Sequence, residues 1–204
     1  MIAFLQKLLL ITLFALLTYF GSSLTAEAAP QILFGLDDLP TGFEVASANE
    51  LDSCQIAGDK AAYVLKSGSE PTELVCVSSF SLAATTENTA QLESVRQLYD
   101  QILQHPQVFI EQAKAAGVND IKTLDQLQGI GEVAVGFGKT EAESGQTEVM
   151  LFRRGDFVSS ALIRYPAGHD PIVPLKTVAR KIDQRISAYS DTAHSDTAHS
   201  NTAP

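Results

Sequence analysis

Histidine, cysteine and positive charge are all scarce in this chain, and each shortage closes off a class of function. Four histidines occur in 204 residues. They are His105, His169 and, near the C-terminus, His194 and His199. No two stand at the i, i+4 spacing that lets one helix offer two imidazoles to zinc, and no carboxylate run has the pattern of a calcium loop. Neither a metal nor a cofactor is expected. A nucleophile would have to come from Ser159 or Ser160, both in mid-strand, and no G-x-S-x-G turn exists to expose one. His105 falls at a helix junction, where capping is its expected job. No set of residues fills the roles of nucleophile, base and oxyanion donor together. No catalytic residue is assigned, and a non-enzymatic role is expected. The most site-like pair is His169-Asp170, in a loop beside Gly168, which keeps a small hydrolase as the alternative.

The two cysteines are Cys54 and Cys76. Their spacing matches neither a metal site nor a C-x-x-C redox centre. In an oxidising compartment an even pair favours one disulfide, closing a loop of about 20 residues and contributing about 3 kcal/mol. The competing reading is two buried free thiols, because sequence does not supply a Cα separation.

Basic residues number 14 against 24 acidic ones, for a net charge of −10. That argues against nucleic acid or an anionic membrane surface as the main partner. The imbalance is uneven: residues 150–189 carry seven basic and three acidic side chains, and residues 30–149 carry six and eighteen. A domain polar along its sequence is expected. Arg153, Arg154, Arg180 and Arg185 are the candidate positions for an acidic partner.

A single uncharged, mostly apolar run occurs, Leu8 to Phe20, after Lys7 and ahead of Ala26-Glu27-Ala28. Charge, short apolar core and small-x-small site are the parts of a secretory signal peptide, assigned to residues 1–29. As a helix the run rises about 20 Å, short of a hydrocarbon core of about 30 Å. The rival is an uncleaved anchor. No cysteine lies near the cleavage site, which disfavours a lipid anchor. Export is expected, to a periplasm, a thylakoid lumen or the extracellular space, with no stable membrane insertion after cleavage.

One domain, residues 30–189, follows the leader. Asp37-Asp38 ahead of Leu39-Pro40 suggests a turn or a single helical turn, and Phe43 to Ala46 the start of a strand. Ala61 to Lys66 and Thr72 to Phe80 read as a hairpin across Ser67–Pro71. In its second strand Leu74, Cys76, Ser78 and Phe80 share one face and Val75 and Val77 the other. Asn88 and Gln91 resemble a capping box for a helix with Leu92, Val95, Leu98, Tyr99 and Ile102 on one stripe. His105-Pro106 ends it and starts a second helix with Phe109, Ala113 and Ala116 inward, stopped by Gly117. Between Val118 and Gln128 a short helix from Thr123 is the expectation. Gly129 to Lys139 alternates as a strand. Pro171 to Tyr189 is an amphipathic helix with Leu175, Val178, Ala179, Ile182 and Ile186 on its stripe. Residues 190–204, SDTAH-SDTAH-SNTAP, are too polar to bury anything and read as a disordered repeat tail.

Two motifs fall away on context. Gly129-x-Gly131-x-x-Ala134 has the letters of a dinucleotide fingerprint but lacks the strand before and the helix after. Arg154-Gly155-Asp156 spells an adhesion tripeptide, yet a tight hairpin turn explains its glycine and aspartate. With Arg154 and Gly155 at the centre of the turn, Arg153 faces Asp156 and Phe152 faces Phe157. Val149 and Leu151 then share a face with Val158 and Leu162, and Met150 and Phe152 share the other with Phe157 and Ala161. Both faces are apolar, so this hairpin should lie in a sheet covered on both sides.

The order of elements argues for an α+β fold: an antiparallel sheet of about five to six strands packed by helices, closed by a β-hairpin and a C-terminal amphipathic helix. LDDLPTGF (36–43), GIGEVAVGF (129–137), LFRRGDFV (151–158) and ARKIDQRI (179–186) resemble stretches of secreted bacterial domains of poorly known function. More distantly, the strand–turn–strand–helix ending is similar to the PsbP-like sandwich, whose members include photosynthetic lumenal proteins and binding adaptors. The resemblance is one of topology and carries no ligand residues with it. It implies a non-catalytic accessory or binding module for an unknown protein or small ligand, with a carrier of an apolar small molecule as a further alternative.

Overall fold

The computed structural model describes residues 34–199, apart from 55, 57, 58, 68, 69, 83–88, 116, 119, 126 and 142–144. For 67, 70, 71, 89–92, 94, 95, 141 and 191–199 it describes the backbone alone. The leader and the Asn88 cap lie outside the described residues.

The alternation around Cys76 sets the architecture. Leu74, Cys76 and Phe80 on one face and Val75 and Val77 on the other are all buried, and a strand buried on both faces needs cover on both. That strand, β3 (Glu70–Ser81), belongs to a seven-stranded antiparallel sheet. The others are β1 (Phe43–Val45), β2 (Asp59–Ser67), β4 (Ile121–Thr123), β5 (Val133–Glu141), β6 (Gly145–Arg154) and β7 (Phe157–Tyr165), in the order β1-β2-β3-β7-β6-β5-β4. Four α-helices cover it: α1 (Ala48–Ser53), α2 (Thr89–Gln104), α3 (Pro106–Ala115) and α4 (Leu175–His199). Helix α4 lies on one face, where Val178, Ala179, Ile182 and Ile186 meet Val75, Val77, Met150, Phe152, Ala161 and Ile163 in one core. The other three helices share the opposite face in separate clusters.

The α+β class and the antiparallel sheet agree with the sequence; the strand count does not. Seven strands replace five or six, and the addition is β4, where a helix from Thr123 is expected. Thr123 instead pairs with Phe137, and the Leu124 N–H donates to the Gly136 carbonyl at 2.8 Å. A three-residue edge strand is too short to show a period, and tertiary pairing overrides the local Thr-x-x-Gln pattern.

The closing hairpin also differs by one step. Gly155 and Asp156 are the turn residues, so Arg154 pairs with Phe157 and Arg153 with Val158. Gly155 has φ +55°, while Asp156 keeps an ordinary negative φ. Glycine at the first central position is what a type II′ turn demands; Arg154 there would be strained. Each β6 residue therefore meets a β7 residue two further along than expected. A shift of two preserves every face, so Met150 and Phe152 still lie with Phe157 and Ala161. Phe152 stands opposite Ser159, and the Phe157 ring meets Tyr189 edge-on at 5.8 Å.

Other expectations hold in part. Leu36–Asp38 forms a single 3₁₀ turn. Helix α3 starts at Pro106 and ends at Ala115, two residues before Gly117, whose φ is +92°. Its buried stripe is Ile110 and Ala113 rather than the expected Phe109, Ala113 and Ala116: Phe109 is half-buried, and Ala116 lies outside the described residues. Helix α4 continues to His199, into the repeat where composition predicts disorder. Extending a packed helix needs no new nucleus, which is what favours backbone helix there.

Candidate functional site

Helix α4 turns its apolar stripe to the sheet, which fixes where its charges go. Asp183 follows Ile182 and is itself buried. Arg154, at the end of β6, donates from Nε and Nη2 to the two Asp183 oxygens at 2.5 and 2.7 Å. This two-point pairing with the Asp183 carboxylate raises the Arg154 pKa above its ordinary value, and burial opposes it. A buried charge is tolerated here because a partner of opposite sign meets it in fork geometry. Further along, Lys181 and Arg185 leave the edge of the helix toward Asp38 in the 3₁₀ turn. Arg185 reaches Asp38 Oδ2 at 2.5 Å, and Lys181 donates to the Asp38 carbonyl at 3.0 Å while lying over the Phe34 ring. On the opposite sheet face Arg153 is paired with Asp100 of α2, its Nε buried without a partner among the described residues.

The four candidate arginines thus separate. Arg153, Arg154 and Arg185 hold α2, α4 and the N-terminal turn in place. Arg180 is exposed on the outer side of α4, one turn from Lys176, and neither makes an ion pair among the described residues. Three of the seven basic side chains of residues 150–189, Arg153, Lys181 and Arg185, pair with Asp100 and Asp38 from elsewhere in the chain, and Arg154 pairs with Asp183 within the segment. Part of what is polar along the sequence is thus paired in space.

The serine and histidine candidates lie apart in role. Ser159 and Ser160 are buried in β7, and their hydroxyls hydrogen-bond across the strand to Ser79 at 2.9 Å and Ser78 at 2.7 Å. His169 and Asp170 are exposed on the turn after β7, behind Gly168 with φ +78°. Gly129 and Gly131 both have positive φ in the turn leading into β5, so the fingerprint letters form a loop-to-strand junction. Among the described residues no three His, Cys, Asp or Glu side chains gather as a metal-ligand set.

Cys54 and Cys76 form a disulfide with a Cα separation of 5.9 Å. Cys54 arrives at the end of α1 on the face to which alternation points Cys76. The bond anchors a six-residue helix that has no buried residue of its own.

Two features escaped the sequence reading. Glu73 is a carboxylate buried in β3, accepting the N–H groups of Ile172 and Val173 at 2.6 and 2.9 Å. It fastens the loop ahead of α4, and its only trace in sequence is an acid at an inward strand position. The second is a half-open recess of about 120 Å³ at the corner between α2 and α3. Leu98, Ile102, Val108 and Phe109 form its apolar lining, and Gln101, His105 and Gln112 its polar part. His105 sits at the helix junction as expected, its N–H donating to the Gln101 carbonyl at 2.9 Å. Proline after histidine is the signal for that corner.

Among the described residues no helix is long and apolar enough to cross a membrane. No protein-family model matches the chain, and no curated protein matches it.

Proposed function

We propose that this chain is an exported, non-catalytic accessory domain that binds a partner protein through the outer side of α4. The observation that carries the reading is the pair of half-buried Lys176 and exposed Arg180, one helical turn apart and left out of the internal ion pairs that absorb Arg153, Arg154 and Arg185. A basic strip on a chain of net charge −10 selects an acidic patch at short range and repels acidic surfaces elsewhere, a means of setting orientation. The disulfide is in keeping with folding in an oxidising compartment. The resemblance to secreted and PsbP-like domains supports the accessory role without specifying a ligand.

The test is capture of partners from the matching exported fraction by the wild-type chain and by Lys176→Glu/Arg180→Glu. Both residues lie outside the core, so the variant should fold with an unchanged melting temperature. Loss of salt-sensitive capture is expected. Equal recovery by both forms would defeat the reading. Charge reversal at Arg185 is a poor substitute, because it would set a carboxylate against Asp38 and disturb the fold.

A further inference from the structure

We propose that the α2–α3 corner is a docking recess for one uncharged apolar side chain borne on an extended peptide segment of a partner protein. This goes beyond the α4 reading, since the recess lies on the opposite face of the sheet.

Size selects the anchor. A volume of about 120 Å³ is well below the roughly 300–1,000 Å³ of sites for drug-sized ligands. It leaves room for a single branched or ring side chain. The floor is firm: Ile102 is buried, and the Phe109 ring packs on Phe137 of β5 at 4.8 Å between centroids. At the mouth, Val108 is 42% exposed, an apolar lip that an incoming side chain would cover.

The polar lining selects what surrounds the anchor. Gln101, His105 and Gln112 line the recess, the first two from exposed positions and the third half-buried. A glutamine amide offers donors and an acceptor together, which matches the N–H and C=O of a peptide and favours neither sign of charge. The wider stretch agrees. Residues 97–112 contain five glutamines and no lysine or arginine, and their acids are Asp100 and Glu111. Asp100 is already held by Arg153. In an acidic chain this corner is nearly neutral, so nothing there would draw a charged occupant, and a buried charge would go unpaired.

The probe is N-acetyl-leucine-N-methylamide, titrated into the full exported chain while backbone amide shifts are followed by NMR. Saturable shifts are expected, confined to residues of the α2–α3 corner. N-acetyl-alanine-N-methylamide, lacking the branched carbons, should bind at least about tenfold more weakly. Val108→Lys should abolish the shifts, and Gln101→Ala/Gln112→Ala should weaken binding while leaving the floor intact. Absent or scattered shifts would overturn the proposal, as would unchanged binding to Val108→Lys. Isobutanol binding as tightly as the leucine probe would also overturn it, because the glutamines would then play no part. Corner shifts that follow protein concentration without any probe would identify a second copy as the occupant and reject the peptide.

Discussion

The two faces of the sheet are built from alternate residues of the same strands and yet are covered in opposite ways. On one, the single helix α4 closes a contiguous core of seventeen buried residues. On the other, three helices, each shorter than α4, cover three separate clusters of six, four and five. The first face gains its order from one long apolar stripe and from ion pairs at its margin. The second depends on local devices: a disulfide under α1, Tyr99 on Phe80 beneath α2, and Phe109 on Phe137 beneath α3. A recess can open in a small cluster without weakening the main core. The α2–α3 corner opens in the third of these clusters, to which Leu98, Ile102 and Phe109 belong.

The contrast is broken or sharpened first by cutting the same side chain on each face. Ile182 is fully buried within the continuous core, and Ile110 is buried in the five-residue cluster beneath α3. Ile182→Ala should cost about 4–5 kcal/mol, because neighbours on every side hold the cavity open. Ile110→Ala should cost about 2–3 kcal/mol, since a ten-residue helix beside an open recess can settle inward. Urea unfolding of both variants measures the difference. Equal losses would mean that the second face is as rigid as the first, and the comparison would fail.

Next in size is the disulfide. Loss of the bond through Cys54→Ala/Cys76→Ala should lower stability by about 3 kcal/mol, the loop-closure entropy of a loop this long. The effect should also be local. Amides of α1 should lose protection from hydrogen exchange while those of α4 keep theirs, because α1 has no buried side chain of its own to hold it. Loss of protection in both helices alike would show that the two faces open as one unit.

How much of this could be read beforehand follows the same division. Face assignments in β3 and in the closing hairpin, the stripe of α4 and the proline start of α3 are local patterns, and the sequence displays them. The hairpin turn was misplaced by one residue because Arg-Gly and Gly-Asp are both plausible centres; only the positive φ of Gly155 separates them. The tasks of Asp38, Glu73 and Arg153 were hidden. Asp38 meets Lys181 at a separation of 143 residues, and Glu73 meets Val173 at 100. No local period encodes such meetings. For the same reason the charge imbalance between the two halves was legible, but the pairing of Arg153, Lys181 and Arg185 with acids of the other half was not. The recess was announced only by His105-Pro106 and a run of glutamines, signals of a corner rather than of a site.

The smallest expected effect concerns tyrosine in alkali. Tyr99 of α2 is buried against Phe80, and burial disfavours the phenolate, pushing its pKa up. The unfolded chain ionises this group near pH 10. Below that pH the stabilisation is fully present; above it the unfolded state releases a proton that the folded state retains, so stability falls as pH rises toward the folded pKa. By pH 11 the loss is about 1.4 kcal/mol for one such group. Tyr99→Phe should remove that decline and leave the neutral-pH stability nearly unchanged. Tyr63 on the other face also has a raised pKa, chiefly from burial, but its hydroxyl donates to the Phe34 carbonyl at 2.6 Å. Tyr63→Phe should therefore cost about 1 kcal/mol even at neutral pH. Urea midpoints of the two variants at pH 7 and pH 11 decide the matter. If Tyr99→Phe keeps the full alkaline decline, α2 admits water to the ring and its cluster is open, not merely small.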